Sequence, residues 1–468
     1  MEYLGAVIDG GAQASAATID IINPANGGSA GHLQTAGEAD ALAAIAAAKR
    51  AFPAWASLGL AERSAAISRC ADIIEANAEE LARLLTLEQG KPLNGMGSRF
   101  EIGGAAAWTR YTATLGLPVE MVQDDAETHI AIHRKPLGVV LSITPWNWPV
   151  MIAIWHIMPA LLAGNTVVIK PSPYTPLSTI RMVQLLQEAL QPGVLNLVAG
   201  ADSLGPVLTG HPDIAKICFT GSTRTGKAVM TSAAPTLKRL TLELGGNDAG
   251  IVLPDCDPKA IAEGLFWGAL INNGQTCAAL KRLYVHDSIY DGVCDALVEF
   301  AGGIKTGDGM ADDSMLGPLQ NKMQFDKVRG LVDAAKADGA RVLCGGTPMD
   351  GDGYFYPVTF VADCAKGMGL VDDEQFGPAL PIIRYSDLDD ALEQANGLEV
   401  GLGGSIWSTD TARARDLAMQ LESGTAWVNK HGAIRPDTPF GGVKSSGFGV
   451  EFGQHGLDEF TSLHVIHD

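Results

Sequence analysis

The chain has no C-x-x-C pair among its seven cysteines (Cys70, Cys218, Cys256, Cys277, Cys294, Cys344 and Cys364). An odd number without paired spacing argues against a disulfide framework and against a zinc site, so no metal is expected. Basic residues are scarce beside acidic ones, 33 Lys and Arg against 53 Asp and Glu, for a formal net charge of -20. A surface that tracks phosphates needs clustered Lys and Arg, so no nucleic-acid partner is expected. The N-terminus, Met1-Glu2-Tyr3-Leu4-Gly5, lacks a basic segment ahead of an apolar core, and no secretory signal is read there. These absences point to a reducing compartment and a cytoplasmic location. One stretch, Val139 to Ile169, is free of Asp, Glu, Lys and Arg and long enough to span a bilayer. Yet Pro145, Pro149, Pro159 and Gly164 break it, and Asn147, His156 and Asn165 would be unpaired in lipid. It reads as buried strand, loop, helix and strand, with no membrane partner.

What is present is an apolar content of 47% in a chain of 468 residues, enough for two or three globular domains. Residues 37 to 90 read as helices: Ala41, Ala44, Ile45 and Ala48 share a face, and Ala66, Ile67, Ile73, Ile74, Leu81, Leu84 and Leu85 recur at helical spacing up to Gly90. A further helix is predicted from Met96 to about Leu115, and Pro118 to Lys135 alternates like β-strands. From Gly138 the pattern becomes strand and helix in turn: Val139 to Ile143, Met151 to Leu162, Thr166 to Ile169, Pro176 to Leu190, Val194 to Val198, Ser203 to Leu208, Ala215 to Phe219 and a helix from Thr225. Short apolar strands separated by helices imply an α/β fold with a parallel sheet covered on both faces, which binds ligands at the carboxyl ends of its strands. A second unit of the same kind begins at Leu242-Glu243-Leu244-Gly245-Gly246 and carries the helix Pro258 to Leu270 and the strand Leu283 to Val285. The alternation runs on through Phe325 to Ala337, Arg341 to Cys344, Val371 to Phe376 and Thr411 to Leu421. The glycine-rich loop Pro439 to Gly449 and a strand-like tail, Leu463 to Ile466, end the chain.

Three residues are candidates to carry chemistry, each ambiguous alone. Cys277 follows the small, flexible stretch Asn272-Asn273-Gly274, where a lone cysteine is either a buried small hydrophobe or an approachable thiol with its backbone N–H free to face a substrate oxygen. Glu243 ends an apolar strand as a structurally paired carboxylate or as a base with raised pKa. Asn147, between Trp146 and Trp148, is a turn former or an amide donor to an oxyanion. Thiol, carboxylate and amide together make an acyl-transfer set. The segment Phe219 to Lys227, with Gly221 and Gly226, is either a tight strand-to-helix turn or a pyrophosphate site at a helix N-terminus.

The chain resembles the aldehyde dehydrogenase superfamily. The matching segments are Thr144-Pro145-Trp146-Asn147-Trp148-Pro149, Lys170-Pro171-Ser172, Phe219-Thr220-Gly221-Ser222-Thr223, Glu243-Leu244-Gly245-Gly246, Gly274-Gln275-Thr276-Cys277, Glu374-Gln375-Phe376-Gly377-Pro378 and the loop Pro439 to Gly449, in the family's order from about residue 20 to the end. The resemblance implies Cys277 as nucleophile, Asn147 with the Cys277 N–H as oxyanion holder, and Glu243 as the base that activates water. It also implies a dinucleotide held by Trp146, Lys170, Ser172, Gly221, Ser222, Gly226, Glu374 and Phe376. Where the family often has a glutamate for the adenosine ribose this chain has Pro173. NAD or NADP therefore stays open, with NAD slightly favoured.

The same resemblance implies a Rossmann-like dinucleotide-binding domain (1–113 and 137–244), an α/β catalytic domain (245–438) and a small β oligomerisation arm (114–136 and 455–468), hence a homodimer or homotetramer. By position, Trp148, Met151, Ile152, Trp155, Thr276, Ala278 and residues 432–437 should line the substrate tunnel. Such walls suit an apolar or aromatic aldehyde; the alternative, an aldehyde bearing a carboxylate, would draw on Arg435. A CoA-acylating dehydrogenase and a non-catalytic nucleotide-binding protein are the remaining alternatives, and Glu243 in the base position argues against the former.

Overall fold

Five parallel strands form the centre of the first sheet: Leu195–Val198, Thr166–Lys170, Val139–Ile143, Ile214–Thr220 and Arg239–Glu243, side by side in that order. The computed structural model describes residues 2–15 and 17–468. All five residues of Thr166–Lys170 are buried, as a strand covered by helices on both faces must be. Antiparallel strands close the sheet at both edges, with Ala6–Ile8 and Gly11–Gln13 on one side and Gly447–Phe448 on the other. Gly447–Phe448 belongs to the glycine-rich loop near the C-terminus and pairs with Leu242 and Glu243.

The charge-free stretch folds as strand, loop, helix and strand, and its helix Pro149–Leu162 begins with proline, where the missing N–H would have had no helical partner. No helix among the described residues is long and apolar enough to cross a membrane. The helical reading of residues 37 to 90 resolves into Glu38–Ala56, Leu60–Ala76 and Ala78–Gln89, followed by Ser98–Ala113. Gly90 ends the third of these at φ 93, where an added Cβ would fall 2.8 Å from Pro24 and from Pro318.

The second sheet has seven strands in the order Arg341–Cys344, Thr359–Cys364, Ala379–Tyr385, Leu280–His286, Asp248–Val252, Gly403–Trp407 and Thr425–Val428, parallel except for the first pair. The segment Val371 to Phe376, expected within the alternation, is the end of a short helix, Gly369–Asp372, and then irregular chain. A separate three-stranded sheet joins Glu120–Asp124, His129–Pro136 and the tail strand Thr461–His467, all antiparallel. It leaves Met121, Val122, Leu463, Val465 and Ile466 exposed.

Candidate active site

The cysteine turn is not flexible, contrary to the sequence reading. Asn272, Asn273 and Gly274 stand in the left-handed region in succession (φ 51, 57 and 73) and all are buried. Asparagine tolerates this region better than other side chains, but two in a row still carry strain that surrounding bonds must offset. Those bonds are Asn272 Nδ2 to the carbonyl of Asn147 (2.9 Å) and Asn273 Nδ2 to the carbonyl of Gly317 (2.9 Å). At Gly274 a Cβ would meet the Gly377 carbonyl oxygen at 2.2 Å, so only glycine fits. The turn thus presents Cys277 on a rigid mount, half-buried. Burial pushes its thiol up to about 12; Lys281 opposes that rise, and Glu243, Asp248 and Glu374 add to it.

Asn147 donates from Nδ2 to the carbonyl of Gln275 at 2.9 Å, which leaves its second amide proton for another acceptor. Glu243 is buried at the carboxyl end of its strand, and neither of its oxygens has a hydrogen-bond partner among the described residues. Burial, and then the nearby Glu451, hold its carboxyl well above the usual range. Glu451 is itself fixed by His156, whose Nε2 lies 2.9 Å from Glu451 Oε1 while Nδ1 lies 2.9 Å from Ser142 Oγ.

Two cavities meet at Cys277. One, of about 350 Å³, is lined by Trp146, Asn147, Gly221, Ser222, Glu243, Gly245, Cys277, Glu374 and Phe376, among others. It opens at the carboxyl ends of the parallel strands, beside the N-terminus of helix Thr223–Ala233, which Ser222 caps. Gly226 lets that helix lie against Leu244, where a Cβ would come within 2.5 Å of the leucine side chain. Gly245 leaves space that Glu374 fills, its Oε2 lying 2.7 Å from where a Cβ would be. Trp146 and Phe376 pack edge to face, 5.3 Å apart. Carboxyl-end cleft, helix N-terminus, close-packing glycine and a partly exposed carboxylate are features that fit a dinucleotide. Lys170 and Ser172 lie on the adjacent strand end, where Lys170 Nζ approaches Asp202 Oδ1 at 3.8 Å.

The other cavity, of about 410 Å³, is lined by Trp108, Trp148, Met151, Ile152, Trp155, Trp267, Thr276, Cys277, Ala278 and Phe440, with Gly432, Ala433 and Ile434 on its far side. Trp148 Nε1 donates to Thr276 Oγ1 at 3.0 Å and so anchors one wall to the cysteine turn. Arg435 is absent from this lining. Its guanidinium is exposed and forks onto Asp437 with bonds of 2.8 and 2.5 Å. A salt bridge two residues away in sequence outcompetes the pocket for it.

Sequence reasoning missed two buried lysines and one at the cavity edge. Lys91 donates to Glu101 (2.5 Å) and to the carbonyl of Asn147 (2.8 Å) and lies 3.6 Å over the Trp148 ring. Lys281 contacts the Cys277 carbonyl, and Lys327 lines the cavity that holds Glu374 and Phe376.

The family model for the aldehyde dehydrogenase family matches residues 12–466. Phenylacetaldehyde dehydrogenase of Pseudomonas fluorescens is 38% identical over 464 residues, covering 96% of this chain and 92% of the relative. Among solved structures, PnpE from Pseudomonas sp. WBC-3 superposes with a TM-score of 0.95 at 38% identity, over 99% of this chain and 97% of that one. Betaine aldehyde dehydrogenase of Staphylococcus aureus, in complex with NAD+, superposes with a TM-score of 0.95 at 35% identity, over 99% and 95%. The rigid cysteine turn between two clefts, the buried carboxyl facing it and this end-to-end likeness lead to one conclusion: the chain belongs to the aldehyde dehydrogenase family.

Proposed function

We propose that the protein oxidises an apolar or aromatic aldehyde to its carboxylic acid with NAD(P), NAD being favoured. The observation that supports this most is the position of Cys277 in the walls of both cavities. In this reading the Cys277 sulfur adds to the aldehyde carbon from the tryptophan-lined side. The second amide proton of Asn147 and the Cys277 N–H donate to the oxygen that becomes negative in the thiohemiacetal. A bound dinucleotide supplies the hydride acceptor. Glu243 then takes a proton from water as that water attacks the thioester, releasing the acid and returning the thiol.

The substrate class follows from the walls. Four tryptophans and Phe440 surround the second cavity, and Lys430 is the one charged residue on its lining among the described residues. With Arg435 turned to Asp437, nothing basic is directed at a substrate carboxylate from that position. The sheet containing Val139–Ile143 serves as the dinucleotide domain (1–113, 137–244), and residues 245–438 as the catalytic domain. Segments 114–136 and 455–468 serve as an arm whose exposed apolar strands pair with another subunit in a homodimer or homotetramer. Seven free thiols suit a reducing, cytoplasmic setting.

The test is absorbance at 340 nm with each cofactor against a panel of aromatic, aliphatic and carboxylated aldehydes, with and without CoA. Cys277→Ala should bind dinucleotide and form no reduced cofactor; appreciable turnover in that variant would remove the mechanism.

A further inference from the structure

Lys281 stands at the start of strand Leu280–His286 with its side chain 2% exposed. An ammonium has three N–H donors, and all three are committed here. Nζ donates to the carbonyl of Cys277 at 2.5 Å, to the carbonyl of Gly246 at 3.0 Å and to Glu374 Oε1 at 2.8 Å. Glu374 Oε1 also accepts from the Gly246 N–H at 3.2 Å, and the Phe376 ring lies 5.4 Å from the ammonium. One buried cation therefore ties together the nucleophile turn, the glycine pair that follows Glu243, and the Glu374 to Phe376 loop. Burying an ammonium is expensive, and a position that only needed packing would be filled as well by an apolar side chain. The thiol faces Glu243, Asp248 and Glu374, all of which oppose its ionisation, while Lys281 favours it.

We propose that Lys281 is a positioning residue for the nucleophile, locking the Cys277 carbonyl and the Glu374 carboxylate in one frame and presenting the thiol with a positive charge. The inference rests on Cys277 being the nucleophile. It separates two duties: the three bonds set where the thiol stands, and the charge sets how readily it becomes a thiolate. Because Glu374 shares the ammonium, the state of that carboxylate is felt at the thiol.

The test is the rate of iodoacetamide alkylation at a fixed pH of about 8, where a lysine ammonium is charged, in the cofactor-free full-length protein, with peptide mass spectrometry to confirm Cys277 as the modified residue. In Lys281→Met and in Lys281→Gln, the latter keeping an amide donor without the charge, alkylation should be roughly tenfold slower. Lys281→Arg should stay near the parent rate. Glu374→Gln, at a partly exposed position, removes an anion and leaves the ammonium uncompensated, so its alkylation should be faster. A folded, uncharged Lys281 variant with the parent rate would overturn the proposal, as would an unchanged rate in Glu374→Gln. Alkylation that inactivates the protein at a residue other than Cys277 would instead overturn the assignment of the nucleophile.

Discussion

The Lys91 ammonium holds the Asn147 carbonyl at 2.8 Å from inside the protein, with its side chain fully buried. Its other anchor, Glu101, accepts the N–H groups of Val150 and Met151 at the start of helix Pro149–Leu162. A helix N-terminus, a carboxylate, an ammonium and the proposed oxyanion donor thus form one chain of contacts. Lys91→Met leaves the buried Glu101 carboxylate without its cation, and removing one partner of such a pair costs about 3–5 kcal/mol. Urea unfolding should show that loss, and kcat should fall more than dinucleotide binding, since the displaced group is Asn147.

Glu243→Gln separates the two halves of the reaction. Hydride loss survives, so a rapid burst of reduced cofactor remains, while steady turnover falls by roughly 10²–10⁴, the range of general base catalysis. Stopped-flow absorbance distinguishes this from a uniform loss of rate, which would count against Glu243 as the water-activating base.

Because burial and then Glu451 raise the Glu243 carboxyl, its charged form accumulates only as pH rises. The hydrolytic rate should therefore climb with pH. Glu451→Gln removes the negative neighbour, lowers that pKa and moves the rising limb to lower pH. His156 also faces this cluster, its Nε2 3.3 Å from Thr220 Oγ1. A limb that does not move would show that Glu451 acts on structure alone.

Asp202 stands where a carboxylate is otherwise missing. Pro173 offers none, but Asp202 Oδ1 lies 3.8 Å from Lys170 Nζ, and both Pro173 and Asp202 line a neighbouring cleft. This exposed carboxylate would repel a 2′-phosphate and so favour NAD over NADP. Asp202→Asn should improve kcat/KM for NADP relative to NAD by about fivefold to tenfold, corresponding to roughly 1 kcal/mol. Titration of tryptophan fluorescence with adenosine 2′,5′-bisphosphate should show the same gain in binding.

Arg435→Ala should leave kcat/KM for acidic and neutral aldehydes alike within about twofold, because its pair with Asp437 is exposed to solvent and Arg435 does not line the cavity. A selective loss for carboxylated aldehydes would restore the semialdehyde reading.

The parallel sheet was legible because its strands are short, apolar and regularly interrupted, and the grouping of Trp148, Met151 and Trp155 on one cavity wall was legible because Met151 and Trp155 share the helix that Trp148 caps, beside the Asn147 loop. The rigidity of the cysteine turn was not. Asn272-Asn273-Gly274 has the composition of a flexible loop, and only contacts with Asn147, Gly317 and Gly377, far away in sequence, fix it. Lys91 and Lys281 escaped for the same reason: a lysine reads as solvated until the partners that bury it are known. Arg435 could have been placed from its neighbour Asp437, since a local pair forms without any tertiary constraint.

Among the described residues, Cys277 alone lines both cavities. In the proposed mechanism, aldehyde and dinucleotide then reach the sulfur through separate cavities. A bulky aromatic inhibitor lodged between Trp108, Trp155 and Phe440 would compete with aldehyde yet leave the dinucleotide side open, and the carboxylic acid would not have to wait for the coenzyme to leave before it departs.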